Sequence, residues 1–171
     1  MLLILVNAVL VSCSIKSGKQ PVCSSQNCSE FPNTVHYSVF VHSFYDADND
    51  GIGDISGLIL KLDYLKDLGI GSIWLLPVHP SPTYHKYDVK NYYDIHPDYG
   101  TLDDFKELVK EAHKMDIKII MDLVVNHTSC YHPWFEDARK SKNSRFRDFY
   151  VWTNDAEVIA REPHHWHLVR D

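Results

Sequence analysis

Basic clusters are absent from this chain of 171 residues. It contains 17 Lys and Arg against 23 Asp and Glu, and its formal net charge is −6 at pH 7. Proteins that bind nucleic acid neutralise its phosphate groups with clustered positive side chains. The sequence therefore predicts that nucleic acid is not a partner.

Long apolar runs are also absent. The apolar stretch at residues 1–12 is shorter than the roughly 20 residues that a membrane-spanning helix needs. It fits the hydrophobic region of a lipoprotein-type signal peptide, with a buried strand as the alternative. The sequence Leu10-Val11-Ser12-Cys13 resembles a bacterial lipobox and predicts a lipid anchor on Cys13, with a plain cleaved signal as the alternative. We expect a secreted or cell-surface protein that contacts the membrane only through this anchor.

Cysteine is scarce, and internal repeats and low-complexity segments are missing. The four cysteines lack the spacing of a metal site, although Cys23 and Cys28 are close enough to form a small disulfide loop in an oxidising compartment. Residues 13–34 are polar without an apolar period, which predicts a flexible tether. The chain as a whole has 44% hydrophobic and 23% charged residues, a composition that excludes disordered and collagen-like proteins.

From residue 35 onward, strand and helix patterns alternate. One predicted helix extends from a cap at Asp54 to a stop at Gly69, and another begins with a capping box at Thr101. Apolar runs predict three strands, the second and third with both faces buried. These strands and a later short helix are predicted at Val35–Val41, Ile70–Leu76, Ile117–Val125 and Pro133–Lys140.

The predicted order βαβαβ indicates an α/β fold with a parallel sheet and helices packed outside it. Periodicity leaves two architectures open, an open sheet and part of a (β/α)8 barrel. A complete barrel needs about 250 residues, more than the 171 of this chain.

An acidic loop, residues 46–54, lies between the first predicted strand and the first predicted helix. Carboxylates at alternate positions and a Gly at the sharp turn are the pattern with which a short loop binds Ca²⁺. An EF-hand is excluded because its twelfth position would be Gly57, which has no side-chain oxygen, and because no helix precedes the loop. The predicted ligands are Asp46, Asp48, Asp50, Asp54 and the main-chain carbonyl of Ile52.

Several segments, taken together with this loop, resemble the α-amylase family of glycoside hydrolases. They match the family in order and spacing across residues 35–152: Lys61-Leu62-Asp63-Tyr64-Leu65, Ile73-Trp74-Leu75-Leu76-Pro77, Ser81-Pro82-Thr83-Tyr84-His85-Lys86-Tyr87-Asp88-Val89, Tyr99-Gly100-Thr101 and Met121-Asp122-Leu123-Val124-Val125-Asn126-His127-Thr128. The resemblance implies the N-terminal part of a (β/α)8 barrel, with three βα units over residues 35–128 and the start of an inserted loop domain over 129–171. It also implies Ca²⁺ or Mg²⁺ in the acidic loop, where Asp48 replaces a frequent Asn and keeps an oxygen ligand.

The resemblance further implies a sugar-binding site. His127 would form a hydrogen bond to the sugar at the cleavage subsite, Tyr87 would stack on its apolar face, and Asp88 would order the surrounding network. Asn126 would bind a second structural Ca²⁺, and Asp122 would support this cluster.

The two catalytic carboxyl groups of a retaining glycosidase follow the fourth and fifth strands in this family, and no residue of this sequence matches them. Asp122 corresponds to the supporting position and not to the nucleophile. We therefore expect this chain to be the N-terminal portion of a longer enzyme and to be inactive on its own.

Three functions remain open. The leading one is retaining hydrolysis of α-1,4 bonds in starch or malto-oligosaccharides, because Tyr84-His85-Lys86-Tyr87 resembles the α-amylase version of that loop. An oligo-1,6-glucosidase-like enzyme is the second. The third is a non-catalytic, calcium-dependent surface protein that binds glycans. In each case the expected partner is an α-glucan oligosaccharide or polysaccharide.

Overall fold

The computed structural model describes residues 33–161. The predicted signal peptide, Cys13, Cys23, Cys28 and nearly all of the predicted tether lie outside the described residues, as do residues 162–171. None of the helices within the described range is long and apolar enough to cross a membrane.

Three strands and five helices make up the regular structure of this range. The strands are β1 (Val35–Val39), β2 (Ile70–Leu75) and β3 (Lys118–Met121). The helices are α1 (Ile55–Leu60), α2 (Leu62–Asp67), α3 (Leu102–Lys114), α4 (Pro133–Ala138) and α5 (Ala156–Arg161). Short 3-10 turns occur at Val41–Ser43, Pro97–Tyr99 and Arg147–Phe149. The predicted alternation of strands and helices is confirmed.

The three strands form one parallel sheet in the order β1-β2-β3. Ile73 in the middle strand pairs with Tyr37 on one side and with Ile119 on the other. Ile73 and its next-but-one neighbour Leu75 are fully buried, whereas Trp74, which points to the opposite face, is 46% exposed. The prediction that β2 and β3 are buried on both faces is therefore wrong for the described residues, because α1, α2 and α3 cover one face of the sheet.

β3 is shorter than predicted. It ends at Met121, and only one further hydrogen bond, from the N–H of Asp122 to the carbonyl of Leu75 at 3.0 Å, extends the ladder. The apolar residues Leu123 and Val125 beyond it are 64% and 60% exposed. The predicted strand, Ile117–Val125, is too long because it is based on the apolar run alone.

The helix predicted between Asp54 and Gly69 is two helices. The backbone breaks at Lys61, whose φ of −104° and ψ of 5° are outside the helical range. Close packing also fixes Gly57 within α1, because a Cβ there would lie 2.1 Å from the carbonyl oxygen of Tyr45. The apolar face is nevertheless continuous across the break and buried against the sheet: Ile55, Leu58, Leu62 and Leu65.

The described residues divide into two compact units. The sheet unit comprises residues 33–78 and 94–122, and the loop unit comprises residues 79–93 and 123–161. The core of the sheet unit lies between the sheet and α1, α2 and α3. The loop unit has a small aromatic core in which the free cysteine Cys130 packs: Phe135, Ala138, Tyr150, Trp134, Phe146 and Trp152.

Candidate functional site

The acidic loop of the sheet unit brings three aspartates together. One carboxylate oxygen from each of Asp46, Asp48 and Asp50 lies within 4.8 Å of the others. The Asp46 carboxylate accepts hydrogen bonds from the N–H groups of Asn49 at 2.6 Å and Gly51 at 2.8 Å, which curl the loop around it. Asn49 and Gly51 have φ of 66° and 92°, a left-handed conformation that Gly and Asn adopt more readily than other residues.

The same hydrogen bonds favour the charged form of the loop. The N–H of Gly51 is the main cause that lowers the pKa of Asp46 below its usual value. Carboxylates this close repel one another, and hard cations such as Ca²⁺ prefer several oxygen ligands. Within residues 33–161 this is the one group of three His, Cys, Asp or Glu side chains whose ligand atoms converge. The donor set fits a hard divalent cation.

Asp54, another predicted ligand, is buried at the start of α1. Its Oδ1 accepts the N–H of Gly57 at 2.6 Å, and its Oδ2 accepts the N–H of Ala47 at 2.9 Å. Asp54 thereby caps the helix and closes the loop, while a second lone pair remains on each oxygen. The N–H of Ile52 donates to Oδ1 of Asp50 at 2.7 Å. The ligand roles of Asp54 and of the Ile52 carbonyl stay predictions.

Tyr87 lies in a tightly hydrogen-bonded segment of the loop unit. Nδ1 of His85 accepts the N–H of Tyr87 at 3.1 Å and lies 3.3 Å from the hydroxyl oxygen of Thr83. Lys86, between them, is buried and has a φ of 61°, a conformation that costs a non-glycine residue roughly 1 kcal/mol. The Tyr87 side chain is 37% exposed, so part of its ring is accessible to a ligand.

His127 contacts this segment. Its Nε2 lies 3.1 Å from the carbonyl oxygen of Tyr87, and its Nδ1 lies 3.3 Å from Nδ2 of Asn126. A carbonyl oxygen only accepts and an amide nitrogen only donates, so these contacts place the ring hydrogen on Nε2 and a lone pair on Nδ1. The structure thus brings three predicted site residues together.

Asp88 is half-buried in the same unit. It precedes Val89, whose carbonyl accepts the N–H of Ser129 at 2.9 Å. This bond connects the segment that carries Asp88 to the segment that carries His127. The role of Asp88 in ordering the site stays a prediction.

Asp122 belongs to the sheet unit, where it directly follows β3 and is half-buried. Its N–H is held by the carbonyl of Leu75. Its supporting role, and that of Asn126 as a calcium ligand, stay predictions.

Sequence reasoning missed residues whose contacts lie far away in the sequence. The hydroxyl oxygen of Tyr92 lies 2.7 Å from the carbonyl oxygen of Val124 and 3.1 Å from that of His127. No local pattern separates Tyr92 from its neighbour Tyr93, which is 82% exposed. The left-handed conformation of Lys86 likewise has no signature in the residue type.

Tyr92 and His127 line an apolar groove of the loop unit, with a volume of about 580 Å³. Grooves with apolar walls and a few placed polar groups are typical of ligand sites. Burial raises the pKa of Tyr92 to about 12, so its hydroxyl stays protonated at neutral pH. Other walls of the groove are Leu123, Val125, Trp134, Phe149 and Tyr150.

Comparison with known proteins identifies the family. The family model described as alpha amylase, catalytic domain, matches residues 38–171. Alpha-amylase 3 of Dictyoglomus thermophilum is 55% identical over 125 residues, which cover 73% of this chain and 25% of that protein. The oligo-1,6-glucosidase of Parageobacillus thermoglucosidasius is 49% identical over 136 residues, which cover 79% of this chain and 24% of that protein.

Solved structures agree with this result. The crystal structure of the α-amylase from H. orenii matches with a TM-score of 0.69 and 54% identity, over 71% of this chain and 27% of that one. The chain spans about a quarter of the length of the curated relatives it matches. Its parallel sheet and helices are the N-terminal part of a (β/α)8 barrel, as the resemblance to the family implied. The chain belongs to the α-amylase family.

Proposed function

We propose that this chain is the N-terminal part of a retaining glycoside hydrolase that cleaves α-1,4-glucosidic bonds in starch or malto-oligosaccharides. The observation that carries the proposal is the contact between His127 and the Tyr87 segment, since both match the family's sugar-binding positions. The two carboxyl groups of a retaining mechanism lie about 5 Å apart across the glycosidic bond. No acidic residue of this chain is assigned to either position.

The residues of the loop unit bind and orient the sugar. The exposed part of the Tyr87 ring stacks on the apolar face of the sugar, and the neighbouring apolar groove excludes water. His127 forms a hydrogen bond to the sugar, and Asp88 orders the polar network beside it. These contacts hold the bond in reach of the two carboxyl groups.

The acidic loop of the sheet unit binds Ca²⁺, or Mg²⁺ in its place, through Asp46, Asp48 and Asp50, with the Ile52 carbonyl and Asp54 as further ligands. The converging oxygens and the lowered pKa of Asp46, caused mainly by the Gly51 N–H, support this assignment. The cation supplies positive charge that holds the loop before α1 in one conformation.

A separate Ca²⁺ is assigned to Asn126 in the loop unit. Resemblance to the family supports this ligand, and the Asn126 side chain is exposed. The contact of its Nδ2 with His127 leaves the side-chain oxygen as the ligand atom.

The α-1,4 specificity is distinguished from α-1,6 specificity by the Tyr84-His85-Lys86-Tyr87 segment, which resembles the α-amylase version of the loop. The 55% identity to an α-amylase supports the same assignment. The 49% identity to an oligo-1,6-glucosidase makes α-1,6 cleavage the second candidate function. A non-catalytic surface protein that binds glycans is the third.

Hydrolysis by the native protein separates these three functions. We expect it to release sugars from maltoheptaose with retention of the anomeric configuration, which NMR of the fresh products measures. It should leave isomaltotriose largely intact. Tyr87→Ala should lower kcat/KM for maltoheptaose about tenfold or more, whereas Tyr93→Ala should not. Faster cleavage of isomaltotriose would favour the second function, and binding of maltoheptaose without cleavage would favour the third.

The proposal includes a position at the cell surface, with residues 1–12 as a signal peptide and a lipid anchor on Cys13. The support is the apolar run followed by Leu10-Val11-Ser12-Cys13. Growth of the source cells with labelled palmitate should label the native protein, and Cys13→Ser should remove the label. An unlabelled wild-type protein would overturn the anchor, and its presence in the medium would favour a cleaved signal.

A further inference from the structure

The segment after β3 carries His127 without regular secondary structure to hold it. β3 ends at Met121, and carbonyl groups in a partly buried loop need hydrogen-bond donors from elsewhere. In the loop unit, one side chain reaches two of them. The hydroxyl of Tyr92 lies 2.7 Å from the carbonyl oxygen of Val124 and 3.1 Å from the carbonyl oxygen of His127.

The Tyr92 ring is itself fixed by neighbouring rings. Its centroid lies 5.8 Å from that of His79, 5.6 Å from that of His132 and 6.3 Å from that of Trp134, the last in a stacked arrangement. Aromatic contacts at these distances add stability beyond the burial of their area. A hydroxyl on a ring held in this way is a preorganised donor, because it cannot swing away from the two carbonyls.

Burial keeps this donor protonated. It raises the pKa of Tyr92 to about 12. Both hydrogen-bond partners of the hydroxyl are neutral carbonyl groups, and neither stabilises the ionised form of the side chain. The hydroxyl therefore donates throughout the pH range in which enzymes of this kind are assayed.

The direction of the His127 side chain depends on this arrangement. The carbonyl of His127 is bonded to Tyr92 while its Nε2 lies 3.1 Å from the carbonyl oxygen of Tyr87. Two anchors, one on the main chain and one on the ring, define both the position and the orientation of the imidazole. Without the hydroxyl of Tyr92, the imidazole is held only by the contacts of its two ring nitrogens.

We propose that Tyr92 is a positioning residue for His127, which sets the imidazole where it meets the reacting sugar. This inference rests on the proposed function of the site. It assigns Tyr92 no contact with the substrate. Its effect on turnover passes through His127 alone.

Kinetics of Tyr92→Phe in the native protein test the inference, with Tyr93→Phe as the matched control. The substitution keeps the ring and removes only the hydroxyl, and Tyr93 is 82% exposed. We expect Tyr92→Phe to lower kcat on maltoheptaose about tenfold and to change KM by less than about twofold, because misplacement of a positioned group weakens transition-state contacts most. Tyr93→Phe should match the wild type, and all assays should be run well below the melting temperature of each variant.

A double-mutant cycle with His127→Ala separates positioning from general stability. If Tyr92 acts through His127, then Tyr92→Phe should lower kcat no further when His127 is already Ala. Equal losses in both backgrounds, or wild-type kcat in Tyr92→Phe, would overturn the inference. A wild-type protein that hydrolyses no glucan would instead refute the proposed function, and this outcome is recognised before any variant is made.

Discussion

At the scale of single residues, Asp50 links the acidic loop to the proposed cation. One of its oxygens lies within 4.8 Å of oxygens from Asp46 and Asp48. A ligand that binds only the folded state raises its stability, by about 2.7 kcal/mol at a concentration of 100 Kd. We expect Ca²⁺ to raise the melting temperature of the metal-free native protein by several degrees, measured by scanning calorimetry, and Asp50→Ala to abolish most of that rise.

Asp67→Ala provides the matched control for Asp50→Ala. Asp67 is exposed at the end of α2, so its loss removes the same charge without touching the loop. Asp67→Ala should retain the full Ca²⁺-dependent rise. An equal rise in Asp50→Ala and the wild type would contradict the cation site.

Tyr99 gives a pH prediction at the same scale. Its side chain is fully buried, and burial raises its pKa from 10.0 to about 12. The unfolded state therefore ionises first, and the free energy of unfolding is unaffected below pH 10 and falls as the pH rises towards 12. We expect this residue to account for a loss of about 2 kcal/mol at pH 12, measured by urea unfolding at each pH.

Comparison of two Phe variants isolates this contribution. Between pH 10 and pH 12, Tyr99→Phe should lose less stability than the wild type, whereas Tyr93→Phe, at an exposed position, should lose as much as the wild type. Identical pH dependence in Tyr99→Phe and the wild type would show that Tyr99 does not titrate with a raised pKa.

At the scale of secondary structure, the N-terminus of α3 is set by a reciprocal pair of hydrogen bonds. The N–H of Thr101 donates to Oδ2 of Asp104 at 2.7 Å, and the N–H of Asp104 donates to the hydroxyl oxygen of Thr101 at 3.2 Å. Loss of such a cap typically costs about 1 kcal/mol. We expect Thr101→Ala to lower the free energy of unfolding by about that amount at pH 7, measured by urea denaturation.

Thr101→Ser and low pH test the mechanism of this cap. Serine keeps the hydroxyl, so Thr101→Ser should retain most of the stability that Thr101→Ala loses. The hydrogen bonds from Thr101 lower the pKa of Asp104 below 3.8, so the carboxylate's contribution is present above pH 3.8 and is lost as the pH falls through the folded value. A difference between Ala and wild type that is unchanged at low pH would contradict a role for the Asp104 carboxylate.

Local patterns predicted the elements where one local signal dominates. The capping box at Thr101 and the proline at the start of α4 are such signals, and both helices are confirmed. The break at Lys61 and the end of β3 at Met121 were missed. In both places the apolar pattern continues past the end of the element, because the spacing of apolar residues does not specify the backbone dihedrals at which an element ends.

At the scale of the whole molecule, the predicted site residues fall into two groups. Within the loop unit, the structure brings Tyr87, Asn126 and His127 together, and their roles in binding stay predictions. The sequence could not predict the Tyr92 contacts. Its partners, Val124 and His127, lie 32 and 35 positions further along the chain. Pairing over that distance is decided by tertiary packing, which a single sequence does not display.

The division into two units predicts that the acidic-loop cation and the sugar protect different parts of the native protein. The acidic-loop ligands Asp46, Asp48 and Asp50 lie in the sheet unit, whereas the sugar-binding residues and Asn126, the ligand proposed for a separate Ca²⁺, lie in the loop unit. Hydrogen exchange followed by mass spectrometry should show that Ca²⁺ slows exchange in peptides covering residues 42–58. Excess maltoheptaose should slow exchange in peptides covering 81–93 and 123–131, because bound ligands suppress local opening of the segments they contact.

Two controls test whether each ligand protects only the segment assigned to it. Asp50→Ala should lose the Ca²⁺-dependent protection of residues 42–58 while it keeps the sugar-dependent protection of the loop unit. Cellohexaose, whose glucose units are β-linked, should protect neither segment. Protection by maltoheptaose that is confined to the sheet unit would contradict the assignment of Tyr87 and His127 to the sugar site, since both residues belong to the loop unit.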